Sequence, residues 1–130
     1  MDSAAARILI VDDEPPLLRM MGLTLTRRGF TVETSDSTDK AWALVEANPT
    51  AYSAAVLDGS MVGMTMQDLA RRMLGANPQL CVLAASGYPM DITALQREAP
   101  GRVESLLKPF TPEMLAGALR RLLGAEEESL

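Results

Sequence analysis

The sequence predicts an α/β fold, a doubly wound parallel sheet, on three observations. Five short β-like runs recur with starts roughly two dozen residues apart. Each gap between them carries apolar residues at helical spacing. The connections are too short to hold a further domain, so strand and helix alternate five times, the pattern of a sheet with helices on both faces.

The first run, Ile8-Leu-Ile-Val11, is continuously apolar, as a strand covered on both faces must be. Pro15-Pro16 after Glu14 starts a helix where proline's missing N–H costs nothing; Leu17, Leu18, Met21 and Leu25 share one face of it, and Gly29 stops it. Phe30-Thr-Val-Glu-Thr34 alternates with polar residues and reads as an edge strand. Asp36 or Ser37 caps the next helix, whose stripe is Ala41, Leu44 and Val45 and whose end is Asn48-Pro49. Ala54-Ala-Val-Leu57 and Leu80 to Ala85 are the other continuously apolar runs and belong mid-sheet. Between them Met66, Leu69, Ala70 and Met73 make a third stripe, stopped at Asn77-Pro78. The fourth helix, Asp91 to Ala99, has the weakest pattern. Val103 to Leu107 is the last strand, and Thr111-Pro112 opens a helix carrying Met114, Leu115, Ala118, Leu119 and Leu122 up to Gly124. The domain is therefore expected over 7-123, with short tails at 1-6 and 124-130, the acidic Glu126-Glu-Glu128 being a frayed, solvated end.

Composition removes whole classes of function. With one Cys and no His in 130 residues, the chain by itself has no zinc site, disulfide, Ser-His-Asp or Cys-His catalytic set, and no histidine through which to relay a phosphoryl group. Lys plus Arg number 12 against 17 Asp plus Glu, a net charge of −5, the opposite of the basic footprint of a nucleic-acid binder. No apolar run approaches the ~20 residues of a membrane span, and residues 1-7 lack the basic start and apolar core of a secretion signal. Cys81 sits inside an apolar strand as a small buried hydrophobe, which fits a reducing, cytoplasmic setting.

Ligands of an open parallel sheet bind outside the carboxyl ends of its strands. There stand Asp12 and Asp13 after the first strand, Asp58 after the third, Ser86 after the fourth and Lys108 after the fifth. Each alone has an ordinary explanation: Asp12-Asp13 as a helix cap, Asp58-Gly59 and Ser86-Gly87 as turns, Lys108 as a surface residue before Pro109. Independent turns, however, have no reason to bring three carboxylates and one ammonium to the same crevice. Clustered carboxylates call for a cation, and oxygen-only ligands select a hard one, Mg²⁺ before others, which completes its shell with phosphate oxygens. Carboxylates, Mg²⁺, a lysine and a hydroxyl suit a phosphoryl group, and an ionised carboxylate needs no base to attack phosphorus. Asp58, standing alone, is the expected nucleophile.

The motifs Ile8-Leu-Ile-Val-Asp-Asp-Glu-Pro15, Val56-Leu-Asp58, Leu83-Ala-Ala-Ser-Gly87 and Leu107-Lys-Pro-Phe110 together resemble the response-regulator receiver domain of two-component signalling, over about residues 7 to 123. The resemblance implies a CheY-like, flavodoxin-like (βα)5 fold with strand order 2-1-3-4-5. It also implies Asp58 as phosphoacceptor and Mg²⁺ (or Mn²⁺) held by Asp13, Asp58 and the Ser60 main-chain carbonyl, with Asp12 acting through metal-bound water. Ser86 would follow the phosphoryl group, Lys108 would be its counter-charge, and Lys108-Pro109 would be cis. The implied donor is a phosphohistidine on a sensor histidine kinase or histidine phosphotransfer domain, docking near the first helix, where Arg19, Arg27 and Arg28 are candidate contacts. The chain's end looks like that of receivers at the carboxyl terminus of hybrid sensor kinases. Its output would lie in another or a parent chain, and a homodimer or effector would use the surface of the fourth helix, fifth strand and fifth helix.

The sequence departs from the family pattern at three places. Val62 replaces a Pro and Met66 a Gly after the phosphoacceptor, so that loop is expected to differ, with Met61, Met64 and Met66 either packed or forming a contact surface. Ser105 stands where the family carries a switching aromatic, which moves the readout toward Tyr88; Ser60 and Tyr88 also occupy positions that govern access of water to the phosphoryl group. Two competing readings remain. A haloacid-dehalogenase-type phosphohydrolase would want a second Asp where Ser60 stands, and a degenerate receiver would act as an interaction module without phosphorylation.

Overall fold

The computed structural model describes residues 6–124. The residues expected as tails and signal-free start, 1–5 and 125–130, lie outside the described residues. Along the chain run β1 (Arg7–Val11), α1 (Pro15–Arg27), β2 (Thr31–Ser35), α2 (Thr38–Ala47), β3 (Ala54–Asp58), α3 (Met66–Ala76), β4 (Cys81–Ser86), α4 (Thr93–Glu98), β5 (Val103–Leu107) and α5 (Pro112–Leu123). The strands form one parallel sheet in the order β2-β1-β3-β4-β5. This is the expected (βα)5 architecture.

The continuous apolar runs are explained by burial on two sides. Ile8 and Ile10, Ala54 and Val56, and Cys81, Leu83 and Ala85 pack against Met21 and Leu25 of α1 and Leu115, Ala118 and Leu119 of α5. The alternate residues Leu9 and Val11, Ala55 and Leu57, and Val82 and Ala84 face α2, α3 and α4 through Val45, Leu69, Met73 and Leu95. β2, with its polar alternation, is an edge as expected, and β5 is the other.

Boundaries shift by one residue at four strands: β1 starts one residue early at Arg7, β3 ends one residue late at Asp58, and β2 and β4 slide by one. Phe30 lies outside β2 because its N–H is taken by Leu25 O at the end of α1, and β4 begins at Cys81 rather than Leu80, whose N–H bonds Asn77 O. Ser37, not Asp36, caps α2, its hydroxyl accepting from Lys40 N. Thr65 and Thr111 cap α3 and α5 in the same way, and Gly124 ends α5 in the left-handed region. The weak fourth helix has six residues. It therefore covers little of the sheet near the carboxyl ends of β4 and β5, and a crevice of about 220 Å³ stays open there between Ser86, Tyr88, Met90 and Ser105.

Candidate functional site

Register and alternation explain why the charged residues converge. Val11 pairs with Leu57, so Asp12 lies level with Asp58. Asp12 and Asp58 also continue the rows Ile8-Ile10 and Ala54-Val56, and Lys108 continues from Leu106, so all three lean toward the α1 and α5 side. The β1 connection leads to that face and the β3 connection to the other, which makes this the crevice where a doubly wound sheet binds its ligand.

Lys108 Nζ lies 3.0 Å from Asp12 Oδ2, 3.3 Å from Asp58 Oδ1 and 3.7 Å from Glu14 Oε1. Asp12 is 1% exposed and Asp58 5%, whereas Asp13 is exposed. Carboxylate oxygens of Asp12, Asp13 and Asp58 lie within 4.8 Å of one another. Asp12 Oδ1 accepts from Glu14 N at 2.9 Å, and Asp58 Oδ1 accepts from Ser60 N at 3.3 Å and Ser60 Oγ at 3.2 Å. Asp58 Oδ2 accepts no hydrogen bond among the described residues. The first loop is thus braced by an aspartate side chain, and the third loop is drawn back over its own aspartate.

Both members of the Asp12–Lys108 pair are shifted upward, although an ion pair alone would lower the acid. Burial raises the Asp12 carboxyl above its ordinary 3.8; the Glu14 N–H and Lys108 pull it down and the Asp58 charge pushes it further up. For Lys108, burial works to lower the ammonium, but Asp12 and Asp58 together outweigh it and raise it above 10.5. One ammonium shared between two carboxylates does not offset the burial of Asp12. With Asp13, the ionised cluster retains two net negative charges, the complement of a divalent cation. The oxygen-only donor set fits Mg²⁺.

Ser86 is buried at the end of β4, where its Oγ accepts from Tyr88 N at 3.1 Å and its main-chain oxygen from Lys108 N at 2.7 Å. Gly59 is the close approach between the β3 and β4 loops: a Cβ there would lie 3.1 Å from Ser86 Cβ and 2.6 Å from Met90 Sδ. Lys108-Pro109 is cis, as the resemblance implied. The expected departure of the β3–α3 loop takes a definite form. Gly63 carries its positive φ (104°), Met66 is the first residue of α3 and buried, and Val62 is 90% exposed. Met61 and Met64 pack against the core, so the methionines are packing residues.

Ser105 and Tyr88 both border the open crevice, Tyr88 with 72% of its surface exposed. Arg19 and Arg27 are exposed, but Arg28 is partly covered and its Nη2 lies 3.3 Å from Glu113 Oε2 on α5. That surface pair links the end of α1 to the first turn of α5. Sequence reasoning missed Glu14, whose place after Asp12-Asp13 was absorbed by the helix start; a third consecutive acid was the signal. Among the described residues, no helix is long and apolar enough to cross a membrane.

Comparison with known proteins agrees with this geometry. The C4-dicarboxylate transport transcriptional regulatory protein DctD of Rhizobium meliloti is 32% identical over 97% of this chain, which spans 26% of that protein. The photosynthetic apparatus regulatory protein RegA of Cereibacter sphaeroides is 29% identical over 86% of the chain and 60% of its own length. The chain thus spans less than two thirds of the length of each of these two relatives. A response regulator receiver protein from Sinorhizobium medicae superposes with a TM-score of 0.82 at 29% identity, covering 95% of this chain and 98% of that one. The receiver domain of the hybrid histidine kinase CckA, at 24% identity and a TM-score of 0.77 over 91% of this chain and 99% of that one, shares the fold. The family model of the response regulator receiver domain matches residues 8–120, and the chain belongs to that family, the phospho-accepting module of two-component signalling.

Proposed function

We propose that Asp58 is the phosphoacceptor of this receiver, that Asp12, Asp13, Asp58 and the Ser60 main-chain carbonyl hold Mg²⁺ (or Mn²⁺), and that Lys108 and Ser86 bind the arriving phosphoryl group. The carrying observation is Lys108 Nζ between Asp12 Oδ2 and Asp58 Oδ1, at 3.0 and 3.3 Å, which places the one cation of the crevice beside the buried carboxylate with a free oxygen. Asp58 Oδ2 attacks phosphorus of a phosphohistidine; the new O–P bond replaces the P–N bond, and the donor imidazole leaves with its electron pair and a proton from its own side. Bound Mg²⁺ supplies neutralising charge for the phosphoryl oxygens. Lys108, no longer held by Asp58, binds a phosphoryl oxygen, and Ser86, whose Oγ now only accepts, donates its O–H to another.

The donor is a sensor histidine kinase or histidine phosphotransfer domain in the cytoplasm, and the catalysis extends no further than this domain's own phosphorylation and slow dephosphorylation. An apolar hollow of about 400 Å³ beside Lys108, lined by Leu17, Met20, Pro109 and Phe110, supports docking along α1, flanked by Arg19. The domain of 7-123 reads out through Tyr88: a Ser86 hydroxyl drawn to the phosphoryl group releases Tyr88 N–H, and the crevice beside Ser105 has room for the freed ring. Exposed Leu107 and Met114 support an effector or homodimer surface on the α4, β5 and α5 side.

The test is incubation with Mg²⁺ and acetyl phosphate, read by intact mass. A base-labile adduct absent from Asp58→Asn is expected. No adduct despite Mg²⁺ binding would establish a phosphorylation-independent interaction module, and sustained release of phosphate from unrelated esters would establish a phosphohydrolase.

A further inference from the structure

Lys108 has three carboxylate neighbours, and they are not equivalent. Two, Asp12 and Asp58, belong to the group whose oxygens converge within 4.8 Å; the third, Glu14, does not, and its side chain is 64% exposed. Lys108 Nζ therefore contacts two of the three carboxylates that a divalent cation would bridge, Asp12 and Asp58, and stays beyond 4.0 Å of Asp13. Two positive centres at hydrogen-bond range of the same oxygens repel strongly even in a polar site, so cation entry requires the ammonium to withdraw. The acceptor within reach that leaves the cluster untouched is Glu14 Oε1, 3.7 Å away.

The local backbone is built for this. Glu14 N is held by Asp12 Oδ1 at 2.9 Å, and Pro15-Pro16 follow at once, so the residue's position is fixed relative to the site. Although Glu14 is the N-cap residue of α1, its side chain makes no capping bond and is left to engage Lys108.

We infer that Glu14 is a positioning residue: it receives the Lys108 ammonium when a divalent cation enters among Asp12, Asp13 and Asp58, and so sets how readily the site loads. This rests on the cation site proposed above, and it concerns where Lys108 goes when that site fills.

The experiment is Mg²⁺ titration by calorimetry on wild type, Glu14→Gln, Lys108→Met and the double variant, with folding checked by circular dichroism. If Glu14 acts through the lysine, Glu14→Gln weakens Mg²⁺ binding by about fivefold with Lys108 present and by less than about twofold in Lys108→Met. An exposed charge acting directly on the cation would give the same loss in both backgrounds, and that result overturns the inference. Should Lys108→Met fail to fold, a second measurement decides. The chain has two lysines, Lys40 and Lys108, so their Nζ resonances are readily separated by NMR. On Mg²⁺ addition the Lys108 ammonium signal shifts but persists in wild type and broadens by solvent exchange in Glu14→Gln, with Lys40 unchanged as reference. Persistence in both overturns the inference. Absence of any saturable Mg²⁺ binding by wild type overturns the cation site itself, and the inference with it.

Discussion

Replacing Asp58 with Asn removes one of two buried negative charges and leaves the shape and most hydrogen bonds in place. At an effective dielectric of about 20, Asp58 and Lys108 at 3.3 Å attract by about 5 kcal/mol, and Asp58 and Asp12 within 4.8 Å repel by about 3.5 kcal/mol. These nearly cancel, so burial decides: holding a carboxylate at 5% exposure costs several kcal/mol that an amide largely escapes. Asp58→Asn is therefore expected to be more stable than wild type in Mg²⁺-free buffer at neutral pH, by about 2 kcal/mol, or roughly 6 to 8 °C in Tm. Urea and thermal unfolding in chelator measure it. Adding Mg²⁺ should stabilise wild type by about 1.4 kcal/mol for each tenfold excess over Kd and the variant far less, so the gap closes or inverts. A variant less stable than wild type in chelator, or a gap indifferent to Mg²⁺, would refute the charge balance from which the site is argued.

The Asp12 carboxyl, raised above 3.8, binds its proton more tightly folded than unfolded. Its contribution to stability in Mg²⁺-free solution thus grows as pH falls through the raised value toward 3.8, and denaturant titrations against pH should show this shrinking in Asp58→Asn. Lys108 has the opposite consequence: its stabilisation is full below 10.5 and is lost as pH rises through its higher folded value, a loss that Lys108→Met should abolish in alkaline unfolding. Gly59→Ala places a Cβ against Met90 Sδ, which can swing away, and Ser86 Cβ, which cannot; it should cost about 1–3 kcal/mol in urea unfolding and slow adduct formation. Ser105→Phe fills the crevice, so in protein carrying fluorotyrosine at its two tyrosines the phosphorylation-dependent shift of Tyr88 should vanish from the ¹⁹F spectrum while adduct formation persists.

What the sequence made legible was whatever depends on local pattern. Ile8 to Val11, Ala54 to Leu57 and the run after Leu80 announce central strands because both faces of each are covered, and polar alternation marks β2 as an edge. Asp12, Asp13, Asp58, Ser86 and Lys108 were legible because chemistry in such sheets gathers at strand ends. The partners of each were not. That Asp58 Oδ1 gathers its donors while Oδ2 stays open, that Arg28 is tied to Glu113, and that Glu14 stands third around Lys108 depend on contacts between residues far apart in sequence. Gly63 shows the same limit: the loop needed a left-handed residue, and its position followed from where α3 begins, at Met66.

The Lys108–Asp12 bond joins residues 96 positions apart, so the first strand's aspartate waits for the last strand before it has a counter-charge. Until β5 pairs with β4, the Asp12, Asp13 and Asp58 carboxylates stand together without their ammonium. Like charges then oppose closing of the crevice. The charge balance of the crevice is thus a property of the complete sheet, supplied only when its last strand pairs with β4.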